Sequence, residues 1–131
     1  QVKAKLHIMT SPNQPGDILR AEIEIQISEN WHIQAANPNH KFLIATQLQI
    51  ATRDTLAELN ITYPDPKRLT LAIAESPVDV YTGSIRIPIT CRIKPYQFSK
   101  AHLTFNLTYQ ACDDKQCLQP NTISLPLNID F

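Results

Sequence analysis

Cys112 and Cys117 frame the tetrapeptide Asp113-Asp114-Lys115-Gln116, and the chemistry this spacing suggests is that of sulfur. A disulfide needs Cα atoms about 4.4 to 6.8 Å apart with converging Cβ vectors, and opposed residues of an antiparallel pair lie about 4.5 to 5.5 Å apart. Two cysteines on either side of a short polar turn can therefore close a bond. As a staple it would contribute little, about 2 kcal/mol for so short a loop against about 4.7 kcal/mol for one of about 100 residues. The short loop favours a redox role and leaves a structural bridge open.

The segments on either side must hold this pair. Leu103, Phe105, Leu107 and Tyr109 alternate with Thr104, Asn106, Thr108 and Gln110. Beyond the cysteines Ile123, Leu125, Leu127, Ile129 and Phe131 alternate with polar residues and Pro126. Both patterns have the two-residue period of half-buried strands, so the cysteines flank a turn between two strands. The same alternation appears through Val2, Ala4, Leu6 and Ile8, through Leu19, Ala21, Ile23, Ile25 and Ile27, and through Ile85, Ile87, Ile89, Cys91 and Ile93. Trp31 and Ile33 begin a short strand, and Thr46, Leu48 and Ile50 mark another. Thr52 to Leu59 is mixed and reads as a single helical turn or a loop. Pro88 and Pro126 are expected at edge positions or bulges, because neither can donate to a ladder. Seven or so short strands with ten prolines and two glycines predict an all-β fold, an immunoglobulin-like β-sandwich of short antiparallel strands.

Composition sets the class. The 131 residues, 43% hydrophobic and 18% charged, make one domain able to build its own core. Twelve basic and twelve acidic residues cancel, so no basic field points to nucleic acid or an anionic membrane. No apolar run approaches the roughly 20 residues that span a bilayer. The chain opens on Gln1-Val2-Lys3 without a signal peptide, as expected for a mature or excised fragment of a secreted precursor or for a cytosolic protein. The paired cysteines tilt the choice to an oxidising compartment, against the odd total of three.

The remaining reactive residues have plainer readings. Cys91 lies on the inward face of an isoleucine-rich strand and reads as a buried unpaired thiol. His7, His32, His40 and His102 are scattered without metal-ligand spacing, and no metal or other cofactor is expected. Trp31 reads first as a core residue of the sandwich. Asp113 and Asp114 should disfavour a thiolate at Cys112 and Lys115 should favour one at Cys117, although a solvated turn is the simpler account of these charges. Two functions stand at this point: an electron-transferring thiol:disulfide module, and a secreted immunoglobulin-like binding module whose hairpin disulfide is structural.

The run Tyr109-Gln110-Ala111-Cys112-Asp113-Asp114, continuing through Cys117 and Pro120, resembles the signature of the N-terminal periplasmic domain of the thiol:disulfide interchange protein DsbD. Trp31-His32-Ile33 with Asn37-Pro38, Ile61-Thr62-Tyr63-Pro64, and Val80-Tyr81-Thr82-Gly83 agree in order. The resemblance implies an immunoglobulin-like domain of a protein-disulfide reductase, located in the periplasm and monomeric. It implies electron transfer from a thioredoxin-like domain of the same protein to a disulfide isomerase or a cytochrome c maturation thioredoxin. Carried onto this chain, Cys117 forms the mixed disulfide and Cys112 resolves it. Tyr81, within Asp79-Val80-Tyr81, would be the aromatic cap over the pair, with Trp31 and Tyr109 near the docking surface. The chain departs from the best-known members by one residue fewer between the cysteines and by Ala111 in place of glycine. It also lacks membrane-spanning and thioredoxin-like portions, so residues 1–131 are read as a single domain, either excised from a longer membrane protein or a stand-alone relative of such domains.

Overall fold

A computed structural model of the chain describes residues 1–14, 16–40, 43–51, 56–71, 76–94 and 100–130. Among them all regular structure is strand: β1 (Val2–Thr10), β2 (Ile18–Ile27), β3 (His32–Gln34), β4 (Gln47–Ala51), β5 (Leu56–Ile61), β6 (Lys67–Leu69), β7 (Val78–Tyr81), β8 (Ser84–Ile93), β9 (Lys100–Tyr109), β10 (Ala111–Cys112) and β11 (Asn121–Asp130). They form three antiparallel sheets in the orders β1-β2-β8-β5, β11-β9-β4 and β10-β3-β7-β6. The fold is the immunoglobulin-like sandwich that the alternation predicts.

The alternation explains the packing. On β2, Leu19, Ala21, Ile23, Ile25 and Ile27 are buried while Arg20 and Gln26 are exposed. Their register partners on β8, among them Ile85, Ile87, Ile89 and Cys91, continue the same face. Leu103, Phe105 and Leu107 of β9, each at most 1% exposed, join these residues in one core. At about 25 cal/mol per Å² of apolar surface removed from water, a core of this kind supplies the main stabilising term.

Three local expectations change. The mixed stretch becomes a strand from Leu56 onward, while residues 52–55 lie outside the described residues. Its period is hidden because a bulge interrupts the register between Ala57 and Asn60, with Glu58 at φ 53°. One extra residue there moves Leu59 and Ile61 out of phase with Leu56. Pro126 does sit on an edge strand, β11, but Pro88 lies on β8 between β2 and β5. Pro88 is tolerated because its carbonyl points beyond the end of β5, where it accepts from Thr62 N at 3.0 Å. Its missing N–H faces the same way, so the pairing with Glu22 of β2 loses no bond. Finally, the segment that carries the candidate cap Tyr81 is a strand, Val78–Tyr81.

The third sheet positions the cysteines. Strand β3 is buried on both faces and lies between β10 and β7. Ala111, Ile33 and Tyr81 are aligned across it and belong to the main core. Cys112, His32, Gln34 and Val80 therefore project from the opposite face, since successive strand residues alternate. Val78 and Val80 on that face form a small separate apolar cluster with Leu71, flanked by Leu43 and Leu69.

Candidate functional site: an edge disulfide over a buried polar face

The chain leaves β9 at Tyr109 and re-enters the same sheet at Asn121, its register partner. Between them it crosses to the third sheet as β10, where Cys112 pairs with His32. It then returns through a tight hairpin. Cys112 and Cys117 face each other in an antiparallel bridge with Cα atoms 4.0 Å apart, and their sulfurs are bonded. Asp113 N donates to Gln116 O and Leu118 N donates to Ala111 O, both at 2.9 Å. The Asp113 carboxylate accepts from Lys115 N at 2.8 Å and Gln116 N at 2.9 Å, closing the turn from inside. These bonds, led by that from Lys115, hold the Asp113 carboxyl below its ordinary range. Asp113 thus acts first as a turn former, in line with the solvated-turn account of its charge.

Gln110 braces the hairpin. Its Oε1 accepts from Ile44 N at 3.2 Å and its Nε2 donates to Leu118 O at 3.4 Å. Asn121 Nδ2 donates to the Tyr109 hydroxyl at 3.2 Å across the base of the excursion, while the Tyr109 ring belongs to the core.

The two sulfurs occupy different surroundings. Cys112 is fully buried and Cys117 is exposed. On the buried side Gln34 Nε2 donates to Cys112 Sγ at 3.2 Å. Gln34 is itself 1% exposed, and Thr46 Oγ1 holds its backbone carbonyl at 2.6 Å. His32 is 3% exposed, and burial is the main cause that lowers its pKa, opposed by Asp114 and then Asp113. A groove of about 460 Å³ opens beside the hairpin, its walls including Trp31, His32, Lys67, Leu69, Thr82 and Asp114.

The other anticipated residues are dispersed around this centre. Trp31 packs half-buried against the core, as its first reading expects, and also lines the groove. Asp79 receives a two-pronged contact from Arg68, Nε to Oδ1 at 2.8 Å and Nη2 to Oδ2 at 3.2 Å. That hydrogen bonding is the main cause that lowers its pKa. Val80 is fully buried beside Gln34 in register. Tyr81 is 3% exposed, with its hydroxyl accepting from Ala36 N at 3.1 Å. Burial is the foremost cause raising its pKa. The ring sits on the core face, with β3 between its strand and β10, and does not cover the sulfurs in this position. A cap made by Tyr81 would require the ring to leave that seat.

Gln34 is the site residue that sequence reasoning missed. Its i, i+2 relation to His32 was readable, but its approach to a sulfur 78 positions away depends on the β3 to β10 pairing.

A sandwich carrying a disulfide with one exposed and one buried cysteine is an arrangement that thiol:disulfide exchange can use. The family model described as the N-terminal domain of the thiol:disulfide interchange protein DsbD matches residues 4–128, and the chain belongs to that family. Among solved structures, the N-terminal periplasmic domain of ScsB from Proteus mirabilis superposes with a TM-score of 0.65 at 16% identity, covering 98% of this chain and 45% of that one. The chain thus spans less than half of the ScsB chain that it matches. The N-terminal domain of DsbD from Neisseria meningitidis in its reduced form superposes with a TM-score of 0.58 at 12% identity, covering 98% of this chain and 86% of that one. At these identities the likeness establishes the fold. A search of curated protein sequences finds no match.

Proposed function

We propose that this domain carries electrons between thioredoxin-fold proteins in the periplasm, with Cys117 as the sulfur that partners engage and Cys112 as the resolving one. The observation that carries the assignment is the contrast between an exposed Cys117 and a fully buried Cys112. A thiolate must reach a disulfide sulfur along the bond axis, so the accessible sulfur is the one attacked. An incoming thiolate bonds to Cys117 Sγ, the Cys112 to Cys117 bond breaks, and its electron pair leaves on Cys112. The donor's second thiolate then displaces Cys117 and leaves the domain as a dithiol. Toward an oxidised acceptor the steps reverse: Cys117 attacks the acceptor disulfide, and Cys112 attacks Cys117 to release the reduced acceptor and restore the bridge.

In this reading the donor is a thioredoxin-like domain of the same full-length protein, and the acceptor is a disulfide isomerase or a cytochrome c maturation thioredoxin. The domain then serves as one part of a protein-disulfide reductase. Trp31 and the groove beside His32 form the docking surface, with Asp79 on β7 of the same sheet, one strand in from its β6 edge. The family membership and the DsbD and ScsB domains described above support the redox role and the compartment.

Single-cysteine variants test the assignment against a purified thioredoxin-fold protein with an oxidised cysteine pair. Cys112→Ala is expected to accumulate a mixed disulfide through Cys117, and Cys117→Ala to give none while still folding. Capture by Cys117→Ala alone would reverse the two roles. Capture by neither, with the wild-type pair staying oxidised below about −300 mV, would make the bridge a structural staple.

A further inference from the structure

Gln34 lies beside a reacting atom, yet its side chain is only half satisfied. Its Nε2 reaches Cys112 Sγ at 3.2 Å, and its Oε1 is buried without a hydrogen-bond partner. A disulfide sulfur has no proton to give, so the end of the amide turned to it must be the N–H end. Among the described residues this is the one hydrogen bond made to either sulfur. His32, the register partner of Cys112, leaves its Nε2 without a partner on the same face. A buried amide acceptor without a partner is costly and calls for an explanation.

We propose that Gln34 is a catalytic residue of the exchange, an N–H donor seated in advance for the thiolate that Cys112 becomes when the disulfide opens. The proposal rests on the exchange reading above and deepens it. Attack on Cys117 sends the bonding electron pair to a sulfur that water does not reach, and a buried anion without a donor is costly. The Gln34 N–H already points at that sulfur, and its bond strengthens as charge develops, because bonds to ionised acceptors are about twice as strong as neutral ones. No proton leaves the amide. In the resolving step the same N–H holds the Cys112 thiolate as it attacks Cys117, and the bond weakens again when the neutral disulfide returns. In the dithiol the Cys112 S–H becomes a donor, and a turn of the amide offers it Oε1, the atom left unpaired in the disulfide form.

The test is the rate at which dithiothreitol opens the disulfide, since every thiol that attacks Cys117 expels Cys112. Gln34→Met keeps the volume and removes the donor. It is expected to slow reduction by about tenfold or more, the effect of one charge-assisted hydrogen bond. Its melting temperature in the oxidised state should equal or exceed that of the wild type, because the unpaired Oε1 goes as well. Slower reduction without loss of stability separates a catalytic role from a packing one. An unchanged rate would overturn the proposal. Should Gln34→Met fail to fold, NMR of the wild-type domain decides: the Gln34 side-chain amide is expected to shift on reduction more than the other glutamine amides, and an equal shift would refute it. Dithiothreitol opens the bond whether or not a protein partner does, so this result is separate from trapping through Cys117.

Discussion

Cys91 and Cys112 are almost equally buried, at 2% and 0% exposed, yet they sit in opposite kinds of interior. Cys91 lies on β8 between β2 and β5, opposite Leu19, in a face made of isoleucine and leucine. Burial there pushes its thiol up to about 11. Cys112 lies at the end of a two-residue strand, with Gln34 against its sulfur and an exposed cysteine as its bonded partner. Burial alone therefore does not fix the chemical surroundings of a cysteine. A bonded, accessible partner and a polar neighbour able to meet developing charge distinguish the second site from the first.

This contrast can be broken by mutation. The largest expected effect is on the apolar side, where Ile87→Ala, at a fully buried β8 position, should cost about 2 to 5 kcal/mol in urea unfolding with little change in the rate of disulfide reduction. A change that instead slowed exchange strongly would mean that the large sheet and the site are coupled. Replacing both Cys112 and Cys117 by alanine should cost about 2 kcal/mol or less, because the loop they close is short. A loss well above that would return the disulfide to a structural role.

The effect confined to alkaline pH sharpens the comparison. A folded Cys91 pKa raised above the unfolded value near 9 means that the native state holds its proton more tightly. The corresponding stability is complete below about pH 9 and is lost as pH rises toward about 11. Cys91→Ala should therefore flatten the wild-type decline across that window when denaturation midpoints are compared at each pH. Superimposable pH profiles would show that Cys91 is not held in a charge-excluding interior.

Much of this molecule is legible in its residues. Two-residue alternation is local, so the long strands, their buried faces and the all-β class follow from the order of side chains, as does the inward placement of Cys91. The spacing of Cys112 and Cys117 likewise implies that they can bond across a turn. Where one residue disturbs the period, the signal fails, as at the Glu58 bulge that hides β5. Strands of two to four residues are too short to show a period, so β6, β7 and β10 emerge only through their partners.

What the sequence determined by itself was the set of faces and the chemistry of the pair. Tertiary structure alone decided which sulfur is buried, because that depends on β10 leaving the sheet of β9 and β11 to pair with β3. The same pairing put Gln34 against Cys112, and the pairing of β7 with β3 turned Tyr81 into the core, since the alternation within one segment says which face is buried and not which distant strand lies beside it.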